Sequence, residues 1–243
     1  MTIASIEAAL AEFGVAEGSL TATERAALDH DGFVILRGVF DPDLCERLRE
    51  AFERRYLPSD SWPAPRGHDT RHAMLNDEPV AQQACLKPAL LAAAHHILRR
   101  RFFLGDVQGR DPRPGGGYQR LHRDWVEPQG PAPMVIGLAF LDPFGPANGA
   151  TRVIPGSHRQ DGGADAYSGF VDHPDQIVVE GGGGDVLMMD GYLVHGGLRN
   201  TSGAPRRNLQ MNFRGHETHT SHDGTHAPSG AAPALRYLLG QDV

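Results

Sequence analysis

The chain has 243 residues, of which 40% are hydrophobic and 22% charged, and its formal net charge is −7. This length suits one sizeable domain, and the composition is that of an ordinary globular chain able to bury a core without staples. The mildly acidic balance argues against general binding to nucleic acid, and no apolar run is long enough to span a bilayer.

Residues 1–7 lack the basic segment and continuous apolar stretch of a secretory signal. Cys45 and Cys85 are the only cysteines, with no CxxC spacing. A disulfide framework or thiolate zinc site is therefore not expected, and a reducing cytoplasm fits best. Glycine (30) and proline (18) are abundant, which favours many turns and short strands over a helical bundle.

Along the chain, residues 22–29 and 42–55 read as helices. Asp41 or Asp43 can cap the second, where Leu44, Leu48 and Phe52 recur at helical spacing. Between them, residues 32–40 form a β-branched and apolar run bracketed by glycines, which suits a strand. A loop bearing Pro and Gly follows at 58–68. Residues 79–101 read as one more helix, with Leu90, Leu91, Ala94 and Leu98 on one face.

From about residue 102 the pattern changes. Short apolar runs at 102–108, 117–124, 133–141, 151–154, 176–180, 185–189, 192–195 and 206–214 alternate with Gly, Pro and Asn clusters. Such a series suggests a β-sandwich or barrel. The expected organisation is a single domain over 1–243. Helical elements lie mostly in 1–101, the β core in about 102–214, and a polar tail or lid in 215–243.

His122 and Asp124 stand two apart, so on a strand over 117–124 their side chains share one face. His195, between a strand-like run and a glycine turn, is the best third ligand. Two histidines and a carboxylate without thiolate suit Fe(II), Mn or Zn. With positions left open, the set is typical of non-haem iron oxygenases. Arg206 lies eleven residues after His195. Alternation puts Arg206, Asn208, Gln210 and Asn212 on one strand face, and Arg207, Leu209, Met211 and Phe213 on the other. A guanidinium fork on the first face can hold the distal carboxylate of 2-oxoglutarate, while Arg207 is expected to face solvent. The pairing points to an oxygenase using Fe(II), 2-oxoglutarate and O2.

Four stretches resemble the phytanoyl-CoA dioxygenase family of Fe(II)/2-oxoglutarate-dependent oxygenases. They are Asp31-Gly32-Phe33-Val34-Ile35-Leu36-Arg37-Gly38, Leu121-His122-Arg123-Asp124, and Asn148-Gly149-Ala150-Thr151-Arg152-Val153-Ile154-Pro155-Gly156-Ser157-His158. The fourth runs from Gly184-Asp185-Val186-Leu187 through His195-Gly196-Gly197 to Pro205-Arg206-Arg207. The resemblance implies a mainly β fold, a double-stranded β-helix (jelly roll) with flanking α-helices. It implies His122, Asp124 and His195 as iron ligands, Arg206 as the partner of 2-oxoglutarate, and Gln119 as a cosubstrate contact. Arg71 or His72 matches a basic contact of some members. Gly197 is a departure, since several relatives carry there a serine hydroxyl that touches 2-oxoglutarate. The carboxylate of Asp124 favours oxygenation over the halogenation of related enzymes that lack it. His158 and Asp190 are expected to be structural.

The substrate expected is a small or medium metabolite, hydroxylated or otherwise oxidised in natural-product (including oligosaccharide) tailoring, with no nucleic-acid or membrane partner. Oligomeric state is not legible. Trp125, directly after Asp124, either lines the pocket mouth as a substrate contact or packs a lid. The histidines at 216, 219, 222 and 226 are read as part of a loop over the substrate rather than as a second metal site. Two rivals stand beside the oxygenase. A non-enzymatic metal-binding jelly roll would not need Arg206. A zinc hydrolase would leave Arg206 unexplained, and the chain lacks the helical HExxH pattern.

Overall fold

A computed structural model describes residues 3–61, 67–125, 130–159, 172–218, 227 and 230–241. Its first part is mostly helical: α1 (Ile6–Glu12), α2 (Ala22–Asp31), α3 (Pro42–Glu53), α4 (Met74–Asp77), α5 (Pro79–Cys85) and α6 (Pro88–Leu98). Two strands interrupt the helices, β1 (Phe33–Leu36) and β2 (His68–Arg71). Then come β3 (Phe102–Pro112), β4 (Met134–Phe140), β5 (Thr151–Val153), β6 (Ile177–Val178), β7 (Val186–Asp190), β8 (His195–Gly197) and β9 (Asn208–Gly215). Helix α7 (Pro233–Leu238) closes the order.

Local chemistry explains the helix ends. Thr21 and Glu24 form a capping box at the start of α2, and the helix stops at Gly32 in the left-handed region (φ 80°). Asp41 caps α3, accepting the Leu44 N–H at 2.8 Å. The helix expected over 79–101 is two helices. Pro88 has no N–H to donate and suits the first turn of a new helix, so α5 ends and α6 starts there.

The strands build two antiparallel sheets, ordered β1-β7-β4-β9-β3-β2 and β6-β5-β8. This is the expected jelly roll with helices outside. One apolar cluster joins the outer face of the large sheet to the helices: Val135, Ala139, Val186, Met188, Leu209, Met211 and Phe213 meet Leu44, Leu48, Leu90 and Leu91. A second fills the space between the sheets, with Ile136, Leu138, Phe140, Val153, Leu187 and Met189. β4 is buried on both faces, hence its unbroken apolar run.

Two elements differ from expectation. The segment 117–124 is not a regular strand. It follows a glycine run with positive φ at Gly115 and Gly117 and touches β8 through an isolated bridge, His122 to His195. In the region expected as a polar tail, α7 buries Ala234, Tyr237 and Leu238. Its apolar residues recur at helical spacing over too short a stretch to stand out.

Candidate metal centre and cosubstrate pocket

β8 begins at His195, and the Gly191-Tyr192 turn before it is closed by Asp190. The Asp190 carboxylate accepts the Tyr192 N–H at 2.8 Å, and its carbonyl accepts Leu193 N–H at 2.9 Å. The backbones of His122 and His195 exchange two hydrogen bonds of 2.9 Å, which brings the two rings together. Although 117–124 is not a strand, one donor atom each from His122, Asp124 and His195 lies within 4.8 Å of the others. Asp124 Oδ1 is 3.5 Å from His122 Nε2, and its Oδ2 is 3.7 Å from His195 Nε2.

Each imidazole Nδ1 faces a carbonyl, that of Arg120 for His122 (2.9 Å) and that of Leu193 for His195 (3.0 Å). These contacts set Nδ1 as the protonated nitrogen and turn each Nε2 lone pair towards Asp124. Burial raises the Asp124 carboxyl, but His122, His195 and Arg110 outweigh it and bring the pKa down to about 2. Burial lowers the His195 pKa, keeping the ring neutral. Burial also works against the His122 cation, but Asp124 and the Arg120 carbonyl leave its pKa raised. A neutral imidazole, a carboxylate and a second imidazole, all aimed at one point, fit a divalent metal ion.

The triad opens into a cavity of about 370 Å³, also lined by Gln119, Arg206 and Asn208. Arg206 is 7% exposed. Its backbone N–H is held by Asp111 at 2.9 Å, and its guanidinium lies 4.6 Å over the Phe144 ring. Phe144 is itself stacked on Phe140. The buried Arg206 Nε has no hydrogen-bond partner. Burial pushes the pKa down to about 10. A buried cation with an orphaned donor fits the end of an acidic cosubstrate.

Gln119 reaches the cavity from the segment before the triad. Its backbone N–H donates to the Gly197 carbonyl at 2.9 Å, and its Oε1 accepts the Gly197 N–H at 3.1 Å. The glycine pair after His195 lets this segment lie directly on β8. A Cβ on Gly196 would stand 2.9 Å from the Arg120 carbonyl oxygen, and one on Gly197 would stand 2.7 Å from that of Gly117.

Trp125 packs, partly buried, against the inter-sheet cluster that contains Ile136 and Met189. Its backbone N–H donates to the Gly191 carbonyl. Asp190 and His158 serve the backbone and packing, the ring of His158 lying against Gly32. One expectation needs correction. Arg207 does not face solvent, because Asp142 and Glu53 hold it by hydrogen bonds of 2.8–3.0 Å. Arg71 pairs with Asp77 at 3.1 Å, and neither it nor His72 is among the residues that line the cavity. Of the four late histidines, His219, His222 and His226 lie outside the described residues, while His216 packs edge-on against Phe103. Sequence reasoning passed over Arg110 and His68, which also line the cavity. The alternation of β3 was the available signal for Arg110.

The family model of phytanoyl-CoA dioxygenase (PhyH) matches residues 28–208. The iron/alpha-ketoglutarate-dependent dioxygenase ausU of Aspergillus calidoustus is 31% identical over 208 residues, 76% of this chain and 68% of its own. Dioxygenase trt7 of Aspergillus terreus is 27% identical, covering 76% of this chain and 70% of its own. Among solved structures, HygX of Streptomyces hygroscopicus with nickel and 2-oxoglutarate bound has a TM-score of 0.70 at 21% identity, covering 81% of this chain and 88% of its own. EctD of S. alaskensis with bound Fe reaches 0.69 at 20% identity, covering 92% and 84%. Those two likenesses speak to the fold. With the family match spanning most of the chain, it belongs to the phytanoyl-CoA dioxygenase family of Fe(II)/2-oxoglutarate-dependent oxygenases.

Proposed function

We propose that His122, Asp124 and His195 hold Fe(II), that Arg206 and Gln119 hold 2-oxoglutarate, and that the enzyme oxidises a small or medium metabolite with O2. The observation that carries this reading is the pairing of a convergent donor set with a buried guanidinium in one cavity. Bound iron, with 2-oxoglutarate and O2, supplies the oxidising power to attack a substrate C–H bond. Every other task falls to the chain.

The Arg120 and Leu193 carbonyls hold the two imidazoles in the tautomer that presents Nε2. Asp124 contributes a carboxylate that stays ionised. Arg206 binds the distal carboxylate in a bidentate fork, with Phe144 keeping water from its face. Ile136, Leu138 and Met189 give the sheet face that lines the cavity an apolar patch, and Asn208 and Gln210 on the neighbouring strand β9 offer hydrogen bonds beside it. A mixed wall of this kind suits a metabolite with both polar groups and exposed C–H bonds. HygX, solved with nickel, 2-oxoglutarate and hygromycin B, supports a natural-product substrate of medium size. The whole chain, 1–243, is read as one domain acting in the cytoplasm. Among the described residues no helix is long and apolar enough to cross a membrane. A metal-binding protein without catalysis would give Arg206 no task.

The test is an anaerobic titration with Fe(II) and 2-oxoglutarate, following the visible charge-transfer band. Wild type should develop the band, His195→Ala should abolish it and Arg206→Ala should weaken it. A folded, iron-loaded wild type without a band refutes the reading.

A further inference from the structure

We propose that Arg152 is a positioning residue for the cosubstrate end of the site, fixing Gln119 from behind the cavity wall. The inference rests on the reading of Gln119 as a 2-oxoglutarate contact.

Arg152 is fully buried, at 0% exposure, in the short strand β5. Its neighbour Thr151 lines the cavity, and its neighbour Val153 pairs with His195. Side chains alternate along a strand, so the guanidinium emerges on the far side of this wall. There Nη2 donates to the Gln119 carbonyl and to the Tyr118 hydroxyl, both at 3.1 Å. Nη1 donates to Gln176 Oε1 at 3.4 Å and to the Asp172 carboxylate. The Tyr118 ring lies 5.1 Å from the guanidinium carbon.

A buried cation is costly unless it is paired and its donors are satisfied. Its charged partner among the described residues, Asp172, is 71% exposed, and a pair with so exposed a partner is weak by itself. Tyr118 and Gln119 must therefore carry much of the satisfaction. That ties the ionic contact to one placement of residues 118 and 119. Gln119 is then fixed at three points. Arg152 holds its carbonyl, the Gly197 carbonyl holds its N–H, and the Gly197 N–H holds its side-chain oxygen. Sliding this segment along β8, or turning Gln119 away from the cavity, would strip the buried guanidinium of two acceptors. The planar fork can serve the Gln119, Tyr118 and Asp172 sides at once. A lysine ammonium is a point charge on a flexible stem and lacks that geometry.

The experiment is calorimetric titration of 2-oxoglutarate into the full chain loaded with Mn(II) under anaerobic conditions. The proteins are wild type, Arg152→Lys, Gln119→Ala and the double variant, with the melting temperature of each recorded. Arg152→Lys should weaken binding by about tenfold. The double variant should bind within about twofold of Gln119→Ala alone, because both changes remove one contact. A merely structural role would make the two losses multiply, and that result overturns the proposal. So does a folded Arg152→Lys that binds as wild type does. If Arg152→Lys does not fold, Tyr118→Phe decides, since it keeps the ring and removes one acceptor. Binding weakened about threefold at unchanged melting temperature supports the proposal, and unchanged binding overturns it. Wild type that binds no 2-oxoglutarate overturns the functional reading and this inference together, whereas binding that Arg152→Lys retains overturns this inference alone.

Discussion

The Gln119 side-chain oxygen accepts the Gly197 N–H at 3.1 Å, and this contact helps to hold residues 117–120 against β8. The close approach leaves no room for a side chain at residue 197. A Cβ there would stand 2.7 Å from the Gly117 carbonyl oxygen, a backbone atom that cannot swing aside, and 3.2 Å from Gln119 Oε1. Gly197→Ser should therefore cost about 1–3 kcal/mol of stability through overpacking, and should weaken 2-oxoglutarate binding. Chemical denaturation and calorimetry read the two effects. A variant as stable as wild type that binds the cosubstrate more tightly would refute this account.

Arg206 should trade stability for binding. Its folded pKa is pushed down to about 10 by burial, so the charged form is held at a cost at every pH below that value. Arg206→Met should weaken 2-oxoglutarate binding by about ten- to a hundredfold, the range of a charge-assisted pair. The same variant, without ligand at neutral pH, should melt no lower than wild type. A large drop in melting temperature would mean that Arg206 is chiefly structural.

Asp190 gives the molecule a pH-dependent stability of known sign. Burial, only partly offset by the Tyr192 N–H and by Arg123, raises its pKa from 3.8 to about 6. The folded state holds its proton more tightly than the unfolded chain. The favourable contribution is complete below the unfolded value and is lost as pH rises through the folded one. Asp190→Asn keeps the acceptor for Tyr192 and removes the charge. At about pH 7.5 this variant should be more stable than wild type by up to about 3 kcal/mol, and the gap should close near pH 4. Urea unfolding of both proteins across that interval checks the sign, because the other titrating groups cancel in the difference.

Metal binding should weaken as the solution is acidified. His122 has a raised pKa, with burial opposing its charge but Asp124 and the Arg120 carbonyl prevailing. Protons thus compete for its Nε2 at a higher pH than for a free imidazole. Below that range, affinity for Mn(II) should fall by about tenfold per pH unit for each proton displaced. His122→Ala should bind metal more weakly and with a shallower dependence. An equal slope in both proteins would remove His122 from the ligand set.

Cys45 and Cys85 should be inert in the folded protein. Both are free and buried, and burial raises both thiol pKa values. An alkylating reagent should modify neither until the chain unfolds. Rapid labelling of the native protein would contradict the core packing described above.

Much of the fold and site was legible because it rests on short-range pattern. The two-residue step from His122 to Asp124, the late His195 and the face of Arg206, Asn208 and Gln210 could be read from spacing and alternation. The helical stripe of Leu90, Leu91, Ala94 and Leu98 could be read in the same way. Errors arose where a distant partner decides. Alternation placed Arg206 on the cavity face, but nothing local told that its neighbour Arg207 would meet Asp142 and Glu53 rather than solvent.

By itself, then, the amino-acid order determined which side chains could serve as ligands and which strand face would carry the guanidinium, because alternation and side-chain chemistry are properties of neighbouring residues. Only the tertiary structure decided that 117–124 would lie on β8 as a bridge rather than pair as a strand. The reason is steric and electrostatic. Two glycines in β8 leave room for the Gly117 and Arg120 carbonyls, and a buried Arg152 thirty-three residues beyond Gln119 takes hold of its carbonyl from behind.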